Sequence, residues 1–295
     1  MTRVSVPGVV DALLVKDAGL IRTLAGDPRL DRAYVPRGRL LNRILLGRLR
    51  RVLQLDGRPL PPVAEHGPAR PTPAQTALEA RLNRLADAAL AGEEIDALAG
   101  YVRGLGRRDE AGKLAQAAVG RLFSTQYRAD AKSWADARVL GAAPSNLNPV
   151  KAIAWALTGR VARARTRLAE AVGGDPSGLH ATGVAIHNLA DALQRLRKLY
   201  RDTKGDLAPS AAAAVGAALG APRQVLRQPV ARLDSEAGRL EPDTLVVLQL
   251  DAANAAQPSY DLVFMQSAWS RCPAHRWVPA LLTAVWTRAH AETGR

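Results

Sequence analysis

Cysteine occurs once in 295 residues. A single thiol excludes a disulfide framework within the chain and fits a reducing, intracellular setting, which predicts a cytoplasmic protein. Aromatic residues make up only 4%. With no stacking platform for bases and no recognised DNA- or RNA-binding motif, the sequence argues against nucleic acid as the partner. No apolar run approaches the length of a membrane-spanning helix. Residues 1–8 (MTRVSVPG) contain no apolar stretch ending in a small-residue cleavage site, so neither a span nor a signal peptide is expected, and no membrane partner. No internal repeat or linker stands out, which predicts one domain over residues 1–295.

What is abundant is positive charge. Lys and Arg total 41 against 27 Asp and Glu, a formal net charge of +14. Such an excess suits an acidic partner, among them an acidic electron-transfer protein. The arginines are spread over many helices rather than gathered in one tail, which also describes ordinary solvated faces. Apolar residues reach 47%, ample for a core.

Periodicity predicts a mainly α protein with a small β region. Residues 9–16 read as a short strand, and Asp17 caps a helix running to about Gly26. A basic helix spans about 39–53, with Leu40, Leu41, Ile44, Leu45, Leu49 and Val52 set against Arg39, Arg43, Arg48, Arg50 and Arg51. Residues 56–73 carry six prolines and two glycines and read as a long loop. Helices follow at about 73–90, 95–105, 111–123, 130–140, 149–157 and 160–172, the last ended by Gly173 and Gly174. The longest, about 176–202, carries Gly178, His180, Thr182, Gly183 and His187 in its first half. An Ala-rich helix covers about 209–219. Val225-Leu226, Val230 and residues 245–250 then read as strands.

The chain closes on Cys272, Pro273 and a helical pattern in which Val278, Leu281, Leu282, Val285 and Trp286 share a face. If Pro273 occupies the first helical turn, Cys272 sits just before a helix start, where free N–H groups and the positive dipole end favour a thiolate. Arg271 and Arg276 add positive charge. A thiolate held this way serves as a nucleophile, a metal ligand or a haem ligand; the plain alternative is a small buried apolar residue.

The order of segments in the last eighty residues resembles the C-terminal part of a cytochrome P450. PRQVLR (222–227) stands where that family has a strand ending in an Arg that binds a haem propionate. LEPDTLVVLQLDAAN (240–254) follows, then Phe264 and RCPAHR (271–276), where a Phe-containing loop presents the axial cysteine before a long helix. Similar echoes lie earlier. DAGLIRTLAGDPRL (17–30) resembles an early helix and turn, RLRRVL (48–53) the helix whose Arg faces a propionate, and GLHAT (178–182) the oxygen-binding helix with its threonine. The resemblance implies a compact P450-like fold holding haem b, with Cys272 as iron ligand, Arg227, Arg50 and Arg271 toward the cofactor, and Thr182 and His180 in proton delivery to a small-molecule substrate site.

The departures carry information too. The Glu-x-x-Arg pattern expected just before Pro222 is absent; residues 214–221 read AVGAALGA. The acid expected before the threonine is Ala181, leaving His180 as the nearest titratable group. The usual His or Trp of the early basic helix is Leu46, and Ser270 replaces the propionate-binding residue two before the cysteine. These differences point away from ordinary monooxygenation, toward peroxide use or non-monooxygenase haem chemistry, with a non-catalytic accessory protein as the alternative. A His180–His187 pair seven residues apart would offer two ligands to a metal, with no third nearby in sequence.

Overall fold

The computed structural model describes the chain except at residues 33, 56–57, 61–72, 89, 91, 145–148, 204–207 and 292–295. Most of the loop expected over 56–73 therefore lies outside the described residues. The chain divides into two units. The first gathers Met1–Thr76, Ala143–Ala152 and Ala221–Cys272; the second gathers Ala77–Ala142, Ile153–Gly220 and Pro273–Arg295.

The first unit is built on a five-stranded sheet among the described residues. Its order is Thr2–Val6, Val10–Val15, Leu245–Leu248, Val225–Pro229, Leu30–Asp31. The second and third strands run parallel and the other neighbours antiparallel. All four residues of Leu245–Leu248 are buried, as an apolar run at a sheet centre requires. One face of the sheet closes over Ile21 and Leu24 of the Ala18–Gly26 helix together with Leu250 and Leu262. Each such side chain contributes about 1.5–3 kcal/mol of transfer free energy. The early helix begins where the Asp17 carboxylate accepts the Leu20 N–H at 2.7 Å, the cap the sequence predicts.

The second unit is helical. Glu93–Arg103, Ala111–Arg121, Ile186–Asp202, Ala211–Ala218 and Trp277–Ala291 pack together around Leu98, Tyr101, Val119, Leu189, Leu193, Leu196, Leu282 and Val285, all buried. Trp286 keeps its indole N–H satisfied by donating to the Pro209 carbonyl at 3.2 Å and meets the Tyr200 ring edge-on at 6.1 Å. Ala131–Ala142 packs against Arg160–Ala171. Among the described residues no helix is long and apolar enough to cross a membrane.

Four details depart from the sequence expectation. The Leu40–Val52 helix buries only part of the expected face: Leu49 and Val52 are buried, but Leu40, Leu41 and Ile44 are 57, 42 and 39% exposed, and Asn42 and Leu46 are buried instead. Asn42 sets the rotation of the helix. Its Nδ2 donates to the Asp11 and Asp243 carbonyls, both at 2.7 Å. Leu250 does not extend a strand but opens the Leu250–Ala256 helix. A strand at Thr2–Val6 and a hairpin of Leu233–Ser235 with Gly238–Leu240 were not foreseen; Gly238 supplies the left-handed backbone (φ +85°) beside the hairpin turn. The final helix is regular from Trp277, after a turn over residues 273–276 in which the Val278 N–H already donates to the Ala274 carbonyl at 2.9 Å. Pro279, without an N–H, leaves the His275 carbonyl out of the ladder.

Candidate functional site

Cys272 ends the first unit in a loop that folds back on itself. Its N–H donates to the Phe264 carbonyl at 2.8 Å, and the Arg271 N–H donates to the Ala268 carbonyl at 3.1 Å. The reversal begins at Met265, which takes a left-handed conformation (φ +51°) to end the Tyr260–Phe264 helix. That conformation costs a non-glycine residue about 1–2 kcal/mol, and Asp261 offsets the cost. Its carboxylate accepts the Ser267 N–H at 2.8 Å and the Arg22 Nε at 2.6 Å. Burial alone would raise the Asp261 pKa, but the Ser267 N–H and the Arg22 guanidinium outweigh it and hold the carboxyl below the usual range. Gln75 donates to the Arg271 carbonyl at 2.8 Å. Cys272 itself is half-buried. In sequence, the turn over residues 273–276, whose Ala274 carbonyl already accepts the Val278 N–H, leads from it into the regular helix.

Arg227 is fully buried on the Val225–Pro229 strand, in register with Val246. Its Nη2 donates to the Ser270 hydroxyl at 2.6 Å and its Nη1 to the Leu226 carbonyl at 3.0 Å. The guanidinium carbon lies 5.6 Å from the Trp269 ring centroid, within cation–π range. Its Nε is buried with no hydrogen-bond partner, and it forms no ion pair among the described residues. Burial, with Arg32 adding repulsion, pushes its pKa down to about 9; it remains a cation at neutral pH. The buried Asp31 carboxylate favours the Arg227 charge without forming an ion pair with it, so most of the cost of desolvating the guanidinium is not offset. A bound anion would offset it. Ser270 and Trp269, which tie Arg227 to the cysteine loop, were not assigned this role from sequence; their place two and three residues before Cys272 was the available signal.

Thr182 and His180 lie in the second unit. The long helix expected over 176–202 is broken into Pro176–His180, a π-helical segment Ala181–Ala185 and Ile186–Asp202. Such π segments concentrate at functional positions. Thr182 is fully buried; its hydroxyl donates to the Gly178 carbonyl at 2.8 Å. Its own carbonyl, freed by the wider turn, accepts Gln116 Nε2 at 3.0 Å. Gln116 is fully buried in an otherwise apolar helix face, the signal that sequence reasoning passed over. His180 is half-buried. His187 packs between helices, 3.1 Å from the Ala137 carbonyl and 5.2 Å from the Trp134 ring. Burial lowers its pKa. The π turn also puts His180 and His187 out of the phase that a regular helix would give them. Among the described residues no cluster of three or more His, Cys, Asp or Glu side chains is placed to hold a metal ion.

The structure thus joins Arg227 to the loop ending in Cys272 and Arg271, and places Thr182 beside Gln116. Arg50 stands exposed on the Leu40–Val52 helix, and Arg271 is half-buried.

No protein-family model and no curated protein matches the sequence. Solved structures do match in fold. CYP154C4 from Streptomyces sp. W2061 shares 14% identity at a TM-score of 0.53, over 97% of this chain and 83% of that one. The cytochrome P450 enzyme CxnD for C–S bond formation in chuangxinmycin biosynthesis shares 14% at 0.52, over 96% and 79%. CYP175A1 from Thermus thermophillus shares 16% at 0.51, over 95% and 81%. With a small mixed sheet and a largely helical remainder matching these structures over nearly its whole length, the chain has the cytochrome P450 fold.

Proposed function

We propose that the chain is a haem-thiolate oxidoreductase of the P450 type acting on a small organic molecule. The observation that carries the reading is Arg227, a buried cation that forms no ion pair among the described residues and is tied through Ser270 to the loop that ends in Cys272. A propionate of haem b is an anion that such a planar fork accepts in a charge-assisted, two-bond contact. Cys272 would hold the haem iron through its thiolate, a ligand that favours O–O cleavage. Arg271 and Arg50 are the remaining candidates for the second propionate.

The chain's own residues have definable tasks. Ser270 and the Leu226 carbonyl orient the Arg227 fork. The Phe264 carbonyl and Gln75 hold the cysteine loop. Thr182 has committed its hydroxyl proton to Gly178, so it can accept a proton-bearing group but not donate. With alanine at 181, His180 is the titratable residue nearest to Thr182 in sequence for moving a proton. A site with this proton supply suits peroxide as oxidant better than stepwise reduction of oxygen. An acidic electron-transfer protein remains the partner for the latter route.

One observation favours a second reading, a P450 fold that has lost catalysis and serves as an accessory protein. The Ala211–Ala218 helix, which stands just before the Arg227 strand, contains no charged residue, where the Glu-x-x-Arg pattern would place an ion pair.

An absorption spectrum tests the proposal. Protein purified after growth with haem precursor should carry haem, and the carbon monoxide complex of the reduced form should show the long-wavelength Soret band that gives the family its name. Cys272→Ser should retain haem and lose that band. Haem-free protein would refute both cofactor and activity. Haem with the band but no turnover of peroxide or of reduced oxygen would select the accessory reading.

A further inference from the structure

The Pro149–Leu157 helix presents large aliphatic side chains to solvent. Ile153 and Leu157, both in the second unit, are four residues apart, which places them on one stripe, and they are 59 and 83% exposed. Exposed apolar surface gathered in this way marks an interaction site. Thr158 and the Arg160–Ala171 helix follow directly. With the Ala131–Ala142 helix they wall a groove of about 440 Å³ lined by Lys132, Asp136, Thr158, Arg160, Arg163 and Arg167. Four cations meet one carboxylate there, and that carboxylate is already taken: Arg167 Nε donates to Asp136 at 2.7 Å, and Nη2 donates to its other oxygen. Lys132, Arg160 and Arg163 form no ion pair among the described residues.

We infer that this surface of the second unit docks an acidic protein, through a helical segment that lays apolar side chains on Ile153 and Leu157 and sets carboxylates into the groove. Apolar centre and charged rim are the usual division of labour in a protein interface, and charge complementarity selects the partner. A second copy of this chain fits poorly, because it brings the same cations and a net charge of +14. A lipid surface fits poorly as well: the cations line a concavity rather than a plane, and the helix's aromatic residue, Trp155, is half-buried instead of offered to an interface. The inference is independent of whether the chain holds haem.

The test uses the full chain and a fluorescein-labelled synthetic amphipathic peptide with Leu at i, i+3 and i+7 and Glu on its other faces. Its counterpart carries Lys in place of Glu. Fluorescence anisotropy should show the Glu peptide binding at least tenfold more tightly, with affinity falling tenfold or more as salt rises from about 0.05 to 0.5 M. The double substitutions Ile153→Asp with Leu157→Asp, and Arg160→Glu with Arg163→Glu, should each weaken binding at least tenfold. Arg201→Glu, an exposed cation elsewhere in the same unit, should leave it unchanged. Circular dichroism establishes that each variant is folded, and the milder Leu157→Ala replaces a variant that is not. Equal affinity for the two peptides, or equal loss in the Arg201→Glu control, overturns the proposal. So does binding to phosphatidylglycerol vesicles but not to the Glu peptide, or dimerisation that the Ile153 and Leu157 substitutions abolish.

Discussion

Replacing Arg227 by methionine should change stability in opposite directions with and without the anion it is built to hold. The fall of its pKa to about 9 corresponds to about 5 kcal/mol by which burial disfavours the charged form, at roughly 1.4 kcal/mol per pKa unit. The sign follows from proton counting. Between about pH 9 and its ordinary value the unfolded chain binds more protons than the folded one, so the whole penalty is present at neutral pH and is relieved only as pH rises through that window. Methionine removes the penalty. It also leaves Ser270 and the Leu226 carbonyl without their donor, at about 1 kcal/mol or more each. The cofactor-free protein should therefore become more stable by about 2–3 kcal/mol, read as a higher urea midpoint with unchanged slope. The haem-loaded protein should lose a charge-assisted contact of about 1.5–3 kcal/mol, read as a roughly 10- to 100-fold faster transfer of haem to an acceptor apoprotein. If Arg227→Met destabilises the cofactor-free form, or leaves haem transfer unchanged, the guanidinium is a structural brace and the assignment of an anion to it fails.

Other substitutions probe the supports. Asp261→Asn removes the charged anchor of the cysteine loop and should cost about 1–3 kcal/mol in urea unfolding; the wild type should lose the same increment only when pH falls below the ordinary Asp value of 3.8, since this carboxyl's pKa is lowered. His187 is a base whose folded-state pKa lies below 6.5, so the unfolded chain takes up the proton first. Stability should be complete above pH 6.5 and fall below it by up to about 1.4 kcal/mol per pH unit, and His187→Gln should flatten that slope. An unchanged slope would remove His187 as its source. Gly120→Ala drives a methyl group into the ring of Tyr127, which is 2% exposed, and should lower stability by about 1–3 kcal/mol through overpacking, measured as a drop in Tm.

Element positions were largely legible because apolar periodicity and capping residues reported them directly. Asp17, Gly173 and the 245–248 run each sit where the reading placed them. Rotation and local register were not legible. Seven of the thirteen residues in Leu40–Val52 are aliphatic, so periodicity allowed more than one buried face, and the choice fell to Asn42 because two backbone carbonyls needed its amide. The π segment at Ala181–Ala185 leaves no trace in hydrophobic spacing, since its stabilising contact comes from Gln116, 66 residues away. The hairpin over 233–240 was short enough that its two leucines, Leu233 and Leu240, read as isolated apolar residues.

The site shows the same division, and it bears on the choice between catalysis and its loss. Cys272 and Arg227 stood out by uniqueness and by segment order, yet what makes Arg227 informative is its burial without an ion pair among the described residues, which only the fold reveals. The features that argue against catalysis, alanine at 181 and an uncharged Ala211–Ala218 helix, belong to the second unit. The thiol and the unpaired cation belong to the first, where the Asp261 anchor and the Ser270 hydrogen bond still hold them together. A buried cation that disfavours folding by several kcal/mol is a cost that a bound anion would relieve. The proposal of haem binding therefore rests on the first unit, and stands apart from the question of turnover. The discriminating measurement is then peroxide consumption by the haem-loaded wild type and by His180→Ala: a rate that depends on His180 identifies a working proton path, and a rate that does not leaves a haem held by a fold without one.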